Sequence, residues 1–423
     1  MAKANAKARI AYFTICARNY LAYALALQES LLAADESLDF YIFLADEAVP
    51  GQQPDANVIL SSEIGIDRHD EMTFRYTVTE FATAIKPSCF QHLMDDQGYS
   101  AAVYLDPDIQ VFHKLDEVET AINEGASCVL TPHLLQPLQD QAQPSVLDIL
   151  SSGTFNLGFV AFSKTKEATD FISWWAKTLE TQCLIDTELG LFVDQKFVDF
   201  APSFMSNTKI LRHPGYNVAY WNLANRNLRK QLNGWYVDDK SLVFFHFSGV
   251  NPTDNSVVSK HQNRFSRENC GETKLLIDQY LNILDKKNNK YWSNFPYAYG
   301  YFSSGEPIPQ ILRRGPPANE ENPFAAPNLK YWNAPSERID QDTDYIFTRF
   351  MVAIHSKRQD LRDTFSLSTR TGRVAFRNWF ARNAESQCKA FEALTRPDNA
   401  QNQTRQRTLS RVWLKIGELL NLI

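Results

Sequence analysis

Hydrophobic and polar residues alternate along the first third of the chain in two patterns, each typical of one kind of secondary structure. Short apolar runs indicate buried strands, whereas apolar residues spaced three or four apart predict helices. The strand pattern occurs at 9–16, 39–44, 57–60, 103–105 and 127–131. The helix pattern occurs at 21–33, at 74–94 with an interruption near Pro87, and at 115–124. Strands that alternate with helices at this spacing predict an α/β fold, in which a mainly parallel sheet is covered by helices on both faces.

After Phe265 the composition shifts from strand patterns to helical and aromatic ones. A helix is predicted at 273–284, before an aromatic stretch at 291–302 and a linker rich in Pro, Gly and Asn at 315–327. Helical patterns follow at 345–356, 373–383 and 406–422. The predicted organisation is an α/β domain over 1–265, a helix and aromatic linker region over 266–320, and a mostly helical C-terminal domain over 321–423.

A pair of carboxylates, Asp106-Pro107-Asp108, follows the apolar run Val103–Leu105. In extended backbone successive side chains alternate, so the two aspartates are expected to point the same way. Two hard oxygen ligands at a strand end suit Mg²⁺ or Mn²⁺ held against the phosphates of a substrate. The alternative interpretation is a plain turn, in which Asp caps and Pro presets the backbone. The motif alone does not separate the two.

Mainly parallel sheets bind ligands beyond the carboxyl ends of their strands. The first predicted strand ends at Thr14–Cys16 and another ends at Asp106, so both ends are expected to border one crevice. Lys86 lies one segment before the Asp106 strand and could reach a pyrophosphate as a point charge. A lysine in a helix is more often solvated, so this position is a weaker candidate.

Further polar positions interrupt apolar runs downstream. The amide of Asn156 offers a donor and an acceptor to a hydroxyl-rich ligand. Asp194 and Gln195 open an apolar helical pattern, where they form either a helix cap or a pair that contacts substrate. His246 ends a hydrophobic strand, and such histidines are more often core residues. It becomes a candidate ligand because the aspartates need a further one and imidazole suits Mn²⁺ better than Mg²⁺.

The order of these motifs resembles that of GT-A glycosyltransferases, nearest to the family 8 type of retaining, nucleotide-sugar-dependent enzymes. The chain is also similar to bacterial glycosyltransferases of cell-surface glycan synthesis. The matching features, in chain order, are an opening strand and helix at 12–27, Tyr-Leu-Asp-x-Asp at 104–108, Phe-Asn-x-Gly at 155–158, Asp-Gln at 194–195, Tyr-Asn-Val at 216–218 and His-x-x-Gly at 246–249.

The resemblance implies that 1–265 is a GT-A catalytic domain, a Rossmann-like nucleotide-diphospho-sugar transferase fold. It implies transfer of a hexose from a nucleotide-diphosphate sugar, with UDP-sugar favoured, to a bacterial surface polysaccharide or lipid-linked glycan acceptor, with retention of configuration. The implied ligands of Mn²⁺ or Mg²⁺ are Asp106, Asp108 and His246. The implied donor-binding residues are Thr14, Ile15, Lys86, Tyr104, Asp106 and Lys260, and the implied catalytic residues are Asn156, Asp194 and Gln195.

One departure from the family pattern concerns the phosphate lysine. In the family a Lys-Pro-Trp follows His-x-x-Gly almost at once, with the lysine on the phosphate. Here Val250-Asn251-Pro252 follows, and the first lysine is Lys260. Either Lys260 or Arg264 is expected to reach back on a longer loop, or the phosphate is neutralised differently.

Two alternatives to a glycosyltransferase stay open. A sugar-1-phosphate nucleotidyltransferase shares the fold, but it normally opens with a Gly-rich phosphate loop, and 12–20 contains no glycine. A non-catalytic scaffold that binds a nucleotide sugar would not need metal ligands. The presence of Asp106, Asp108 and His246 argues against it.

Composition and charge remove other classes of function. A net charge of −6 provides no basic field, so no nucleic-acid partner is expected. No stretch approaches the ~20 consecutive apolar residues that cross a bilayer, and the N-terminus lacks the apolar centre of a secretory signal. The six cysteines lie far apart, which argues against structural zinc and is typical of a reducing cytosol. A cytoplasmic protein is expected.

The last predicted helix carries basic residues beside apolar ones, among them Arg407, Arg411 and Trp413. Such a helix could make a peripheral contact through 406–423 with the inner face of an anionic membrane, where a lipid-linked acceptor would be found. The alternative is a helix docked on its own domain or on a partner subunit.

Overall fold

The computed structural model describes residues 8–49, 56–254, 256–339, 346–388 and 394. It divides the chain into two compact units, Met1–Gly300 and Tyr301–Ile423. The strands all lie in the first unit and are β1 Ile10–Cys16, β2 Asp39–Leu44, β3 Val58–Leu60, β4 Ala101–Leu105, β5 Ile109–Val111, β6 Cys128–Pro132, β7 Phe155–Ser163, β8 Ile185–Asp186, β9 Leu191–Phe192, β10 Thr208–Ile210, β11 Leu228–Gln231, β12 Gly234–Val237, β13 Lys240–Ser241 and β14 Phe244–His246, as far as the chain is described.

Helices occur in both units. In the first unit they are α1 Leu21–Ala34, α2 His69–Arg75, α3 Val78–Ala84, α4 Lys86–Gln91, α5 Asp116–Asn123, α6 Val146–Ser152, α7 Lys166–Gln182, α8 Gln195–Val198, α9 Ala201–Phe204, α10 Thr273–Lys286 and α11 Asn289–Trp292. In the second they are α12 Leu329–Trp332, α13 Arg349–Lys357, α14 Gln359–Thr364 and α15 Arg370–Cys388.

A seven-stranded sheet with the order β10-β6-β7-β4-β1-β2-β3 forms the centre of the first unit. Its neighbours pair in parallel except at β7, which is antiparallel to both β4 and β6. Because β7 runs the opposite way, its first residues lie at the edge where the parallel strands end. Leu105, the last residue of β4, pairs with Phe159 of β7. The start of β7 is therefore beside the turn that follows β4.

Both faces of this sheet are buried under helices. Successive residues of β1 alternate between two hydrophobic clusters, with Phe13 in one and Tyr12 in the other. The Phe13 cluster includes side chains of α3, α4 and α7, such as Trp175. The Tyr12 cluster includes side chains of α1 and α5, such as Leu27. The prediction of an α/β fold with a mainly parallel sheet and helices on both faces is confirmed.

The helical stretch predicted at 74–94, with an interruption near Pro87, forms several short helices. Thr77 forms a capping box with Glu80 that starts α3, and Pro87 lies in the first turn of α4. A proline is accepted there because the first amide groups of a helix have no partner inside it. Lys86 is consequently the first residue of α4 rather than an exposed residue in the middle of a long helix.

The predicted mostly helical C-terminal region is present, since 345–356 and 373–383 correspond closely to α13 and α15. The predicted helix at 406–422 lies outside the described residues, and the predicted domain boundaries at 265 and 320 stay predictions. Within the described part of the chain, none of the helices combines the length and the apolar character that crossing a membrane requires.

Candidate active site

The Asp106-Pro107-Asp108 segment is a turn that links β4 to β5, with Ile109 N–H donating to Asp106 O at 3.1 Å. Asp106 N–H in turn donates to Gly158 O of β7 at 2.8 Å. The extended backbone that the sequence suggested is therefore absent from this segment. The turn and the ligand pair are nevertheless compatible interpretations of one motif, because this turn holds both carboxylates near the same histidine.

His246 reaches the aspartates through strand pairing. β14 runs antiparallel to β5, so that His246 lies opposite Ile109, the residue after Asp108. Phe247 N–H also donates to Asp108 O at 2.8 Å. Two segments about 140 residues apart in the sequence are thus fixed by main-chain bonds, and the imidazole has little freedom to leave the carboxylates.

These three side chains form a candidate metal site. His246 Nε2 lies 2.9 Å from Asp108 Oδ1 and 3.5 Å from Asp106 Oδ2. One ligand atom from each residue lies within 4.8 Å of the others. His246 is buried and the aspartates are half-buried. Two carboxylate oxygens and one imidazole nitrogen fit Mn²⁺ or Mg²⁺, with room for oxygen ligands from a substrate.

The electrostatics of the site favour positive charge beside the carboxylates. Burial lowers the pKa of His246, but the charges of Asp108 and Asp106 outweigh burial, so that the pKa is raised above its ordinary value. Burial raises the pKa of Asp106, although His246 and Lys86 oppose the rise. A bound cation would compensate the negative charge of these carboxylates.

Lys86 is buried and forms an ion pair with the carboxylate of Asp194. Its Nζ lies 2.6 Å from Asp194 Oδ2, with the two side chains only 1% and 2% exposed. Nζ also donates to Leu157 O at 3.0 Å and lies 4.1 Å from the centroid of the Tyr104 ring. Tyr104 Oη donates to Asp106 Oδ1 at 2.5 Å. The alternative that Lys86 is a solvated lysine on a helix is therefore wrong.

Asp194 does not act as a helix cap. It precedes α8, but its side chain makes no capping hydrogen bond. Burial raises the pKa of its carboxyl, while Lys86 lowers it and Asp106 adds to the rise. Asp194 thus belongs to the same charged cluster as the candidate metal ligands.

The start of β7 joins the remaining predicted residues. Gln195 Oε1 accepts from Leu157 N–H at 2.8 Å and lies 3.5 Å from Asn156 Nδ2. Asn156 Oδ1 accepts from Gly158 N–H at 3.1 Å and from Asn217 Nδ2 at 3.0 Å. Asn156 and Gln195 therefore lie together at the sheet edge where β4 ends.

Gly158 is required by the close approach of His246. A Cβ atom at this position would lie 2.4 Å from His246 Cε1 and 2.6 Å from Nδ1. Neither atom can move without shifting the imidazole. The glycine in the Phe-Asn-x-Gly motif thus makes room for the candidate metal ligand.

Three predicted donor-binding residues lie outside this cluster of contacts. Thr14 of β1 is fully buried and Ile15 is 2% exposed, so both side chains are buried against the faces of the sheet. Lys260 is exposed, and its backbone N–H donates to Gly249 O at 3.0 Å. Their contacts with a donor stay predictions.

Arg264, the other candidate for the phosphate, is already engaged. Its guanidinium donates twice to Asp140, at 2.8 Å in each case, and also to the carbonyls of Ala142 and Pro144. Because these bonds anchor the loop before α6, Lys260 is the better candidate of the two.

The sequence interpretation missed His133 as a site residue. His133 directly follows β6, and its Nε2 lies 3.3 Å from Asn156 Nδ2. Trp221 packs edge-on against both His133 and His246, with ring centroids 5.4 Å and 5.3 Å apart. The rule that singled out Asp106, a polar residue just after a buried strand, also applies to His133 and would have found it.

Comparison with known proteins gives relatives without a stated function. No family model matches the chain. It is 32% identical over 178 residues to YfnD of Bacillus subtilis strain 168, a match that covers 41% of this chain and 54% of YfnD. It is 24% identical over 298 residues to YfnF of the same organism, covering 67% of this chain and 97% of YfnF. The chain thus spans about half the length of YfnD, and both relatives are described as uncharacterized.

Part of the chain is similar in structure to several solved glycosyltransferases. Galactosyltransferase LgtC, in complex with donor and acceptor sugar analogues, matches at a TM-score of 0.42 and 12% identity over 65% of this chain and 95% of LgtC. The bifunctional glycosyltransferase WbbM matches at a TM-score of 0.38 and 13% identity, over 70% of this chain and 52% of WbbM. GlyE of Streptococcus pneumoniae matches at a TM-score of 0.36 and 13% identity, over 70% of this chain and 67% of GlyE. At such low scores the function of this chain has to be inferred from its own site residues.

Proposed function

We propose that this chain is a metal-dependent glycosyltransferase of the GT-A type. It moves a hexose from a nucleotide-diphosphate sugar, with UDP-sugar as the favoured donor, to a bacterial surface polysaccharide or glycolipid acceptor. The anomeric configuration is retained. The resemblance of the motif order to family 8 supplies the donor, acceptor and stereochemistry of this proposal.

The observation that carries the proposal is the convergence of Asp106, Asp108 and His246. Strand pairing holds ligands from two distant segments together, with His246 Nε2 2.9 Å from Asp108 Oδ1. A purely structural ion pair would not need two carboxylates around one buried imidazole, since each carboxylate costs desolvation energy. Asn156 and Gln195 supply amide groups for hydroxyls beside this site.

The residues match the charges that sugar transfer develops. Breaking the sugar–phosphate bond leaves an anionic diphosphate and a sugar with oxocarbenium character. A divalent ion on Asp106, Asp108 and His246 would supply charge stabilisation for the diphosphate. Asp194 and Gln195 would stabilise the positive charge on the sugar. Asp194 is suited to electrostatic stabilisation rather than to proton transfer, because Lys86 engages its carboxylate in a buried ion pair.

Retention follows if the acceptor attacks from the face that the diphosphate leaves. The departing phosphate oxygen then takes the proton of the acceptor hydroxyl. This route needs no separate base on the opposite face of the sugar. Proton NMR of the first-formed product tests it, and an inverted anomeric configuration would contradict it.

A donor-hydrolysis screen tests the proposed activity. UDP-, GDP- and dTDP-hexoses are incubated with the full chain and either Mn²⁺ or Mg²⁺, and release of the nucleoside diphosphate is followed. We expect metal-dependent release from a UDP-hexose, and its loss in Asp108→Asn. Asp170→Asn is the matched control, because Asp170 is an exposed carboxylate of α7. No release from any donor, or full activity in Asp108→Asn, would contradict the proposal.

A further inference from the structure

The orientation of the Asn156 side-chain amide is determined by its neighbours. Gly158 N–H can only donate, so the Asn156 atom 3.1 Å away must be the amide oxygen. The amide nitrogen then faces His133 Nε2 at 3.3 Å. Since Nδ2 can only donate, His133 Nε2 must accept, and the ring proton belongs on Nδ1.

The main chain and the ring of His133 are each held by a neighbouring side chain. Asn222 Nδ2 donates to His133 O at 3.2 Å and to Asn217 O at 2.9 Å. The Trp221 ring lies edge-on to the imidazole. His133 is only 4% exposed, and burial lowers its pKa to about 4, so that the ring is uncharged at neutral pH. An uncharged ring keeps the lone pair on Nε2 that Asn156 requires.

The other N–H of the Asn156 amide is held weakly. It lies toward Gln195 Oε1 at 3.5 Å, at the outer limit of a hydrogen bond, while that oxygen already accepts from Leu157 N–H at 2.8 Å. A sugar hydroxyl can displace this long contact at little cost. The bond to His133 would then hold the amide plane while the N–H on the Gln195 side serves the ligand.

We propose that His133 is a positioning residue for the donor sugar, whose Nε2 holds the Asn156 amide in the orientation that donates to a sugar hydroxyl. The inference rests on the proposed function and extends it to a residue outside the family motifs. We expect the effect to fall mainly on the sugar, because His133 contacts Asn156 directly and reaches His246 only through the Trp221 ring.

Calorimetry with two probes separates the contribution of the sugar to binding from that of the nucleotide. UDP and UDP-glucose are titrated separately into the full chain in the presence of Mn²⁺. His133→Leu removes the hydrogen-bond acceptor Nε2. It is expected to weaken UDP-glucose binding by about tenfold, the effect of losing one buried hydrogen bond. UDP binding is expected to change by less than about twofold. In an Asn156→Ala background the same replacement is expected to have no further effect.

Rescue variants distinguish positioning from general packing. The amide oxygen of Gln can take the place of Nε2, whereas that of Asn reaches only the position of Nδ1. His133→Gln is therefore expected to recover most of the UDP-glucose affinity and His133→Asn is not. This comparison also decides the question if His133→Leu does not fold.

The outcomes are distinguishable. Equal weakening of UDP and UDP-glucose by the His133 variants, or no weakening of either, would overturn the role of His133 and leave the proposed function standing. A wild-type protein that binds neither probe in the presence of Mn²⁺ would contradict the proposed function, and the inference with it.

Discussion

Lys86 and Asp194 illustrate how one residue pair can serve both the stability and the chemistry of the site. Each side chain is almost fully buried, and each charge is compensated mainly by the other. A buried charge that loses its partner costs far more than the pair contributes as a whole. Sequence spacing could not reveal this pair, because Lys86 begins one helix and Asp194 precedes another about a hundred residues later.

Removing one partner of this pair should destabilise the fold. Asp194→Ala is expected to lower the free energy of unfolding by about 3–5 kcal/mol, because Lys86 would remain buried and unpaired. Urea denaturation measures the change. Asp170→Ala breaks the exposed pair with Lys166 and is expected to cost less than about 1 kcal/mol. Similar losses in both variants would show that Lys86 is solvated in solution.

His133 gives a prediction for the dependence of stability on pH. Burial lowers its pKa from the ordinary 6.5 to about 4, so the unfolded chain takes up the proton first as the pH falls. The stability that the neutral ring contributes is present above pH 6.5 and is lost as the pH falls toward 4. His133→Gln removes this dependence. The difference in unfolding free energy, wild type minus variant, should fall by about 2 kcal/mol between pH 7 and pH 5.

Chemical denaturation of the metal-free proteins at several pH values tests this directly. The charged groups that face His133, namely His246 and Asp199, are present in both proteins, so the difference reports mainly the titration of His133. A difference that stays constant between pH 7 and pH 5 would mean that His133 is not buried as an uncharged ring.

At the scale of elements, the site is assembled by the reversed direction of β7. Its antiparallel pairing with β4 brings Asn156–Gly158 to the edge where Asp106 follows β4. The pairing of β14 with β5 then brings His246 to the same place. Gly158 lies where these two arrangements meet, with no space for a side chain.

A side chain at Gly158 should therefore affect the site more than the fold. Gly158→Ala is expected to push His246 away from Asp108 and to weaken Mn²⁺ binding by at least about tenfold, with a loss of about 1–3 kcal/mol in stability from overpacking. Gly300→Ala is the control, because a Cβ there would meet nothing closer than 3.9 Å. Equal Mn²⁺ binding by wild type and Gly158→Ala would contradict the geometry of His246. Calorimetry with the metal alone supplies the measurement.

The sequence predicted elements well where local pattern decides them and less well where pairing decides them. The apolar runs of β1, β2 and β6 and the periodicity of α1 and α10 are local signals, and each element lies near its predicted position. The strands β8, β9 and β11–β13 have only two to four residues each, which is too short for a periodic pattern to be recognised. The direction of β7 is set by its neighbours in the sheet, which no local pattern reveals.

At the scale of the whole molecule, the first compact unit contains every residue of the candidate site. The hydrophobic clusters on both faces of its sheet are built from residues before Gly300. Such a unit buries its own core and meets the requirement for independent folding. The motif order pointed to Asp106, Asp108 and His246, whose ligand atoms converge in the fold. It could not point to His133, because the family motifs do not include that residue.

A chain that ends at Gly300 is consequently expected to fold and to keep the candidate metal site. Its far-ultraviolet circular dichroism should show a cooperative thermal transition. Its Mn²⁺ affinity should lie within about threefold of that of the full chain, since the metal ligands and the strands that hold them are all present. Loss of the cooperative transition, or of Mn²⁺ binding alone, would mean that the second unit is needed for the site.

Asp106, Asp108 and His246 are predicted to hold a divalent cation against a nucleoside diphosphate. Calorimetric titration of UDP into the full chain, with and without Mn²⁺, tests it most directly. We predict binding that requires Mn²⁺ and is weakened on the order of 100-fold or more in Asp108→Asn, while Asp170→Asn binds as the wild type does. UDP binding that is independent of Mn²⁺, or unchanged in Asp108→Asn, would contradict the account.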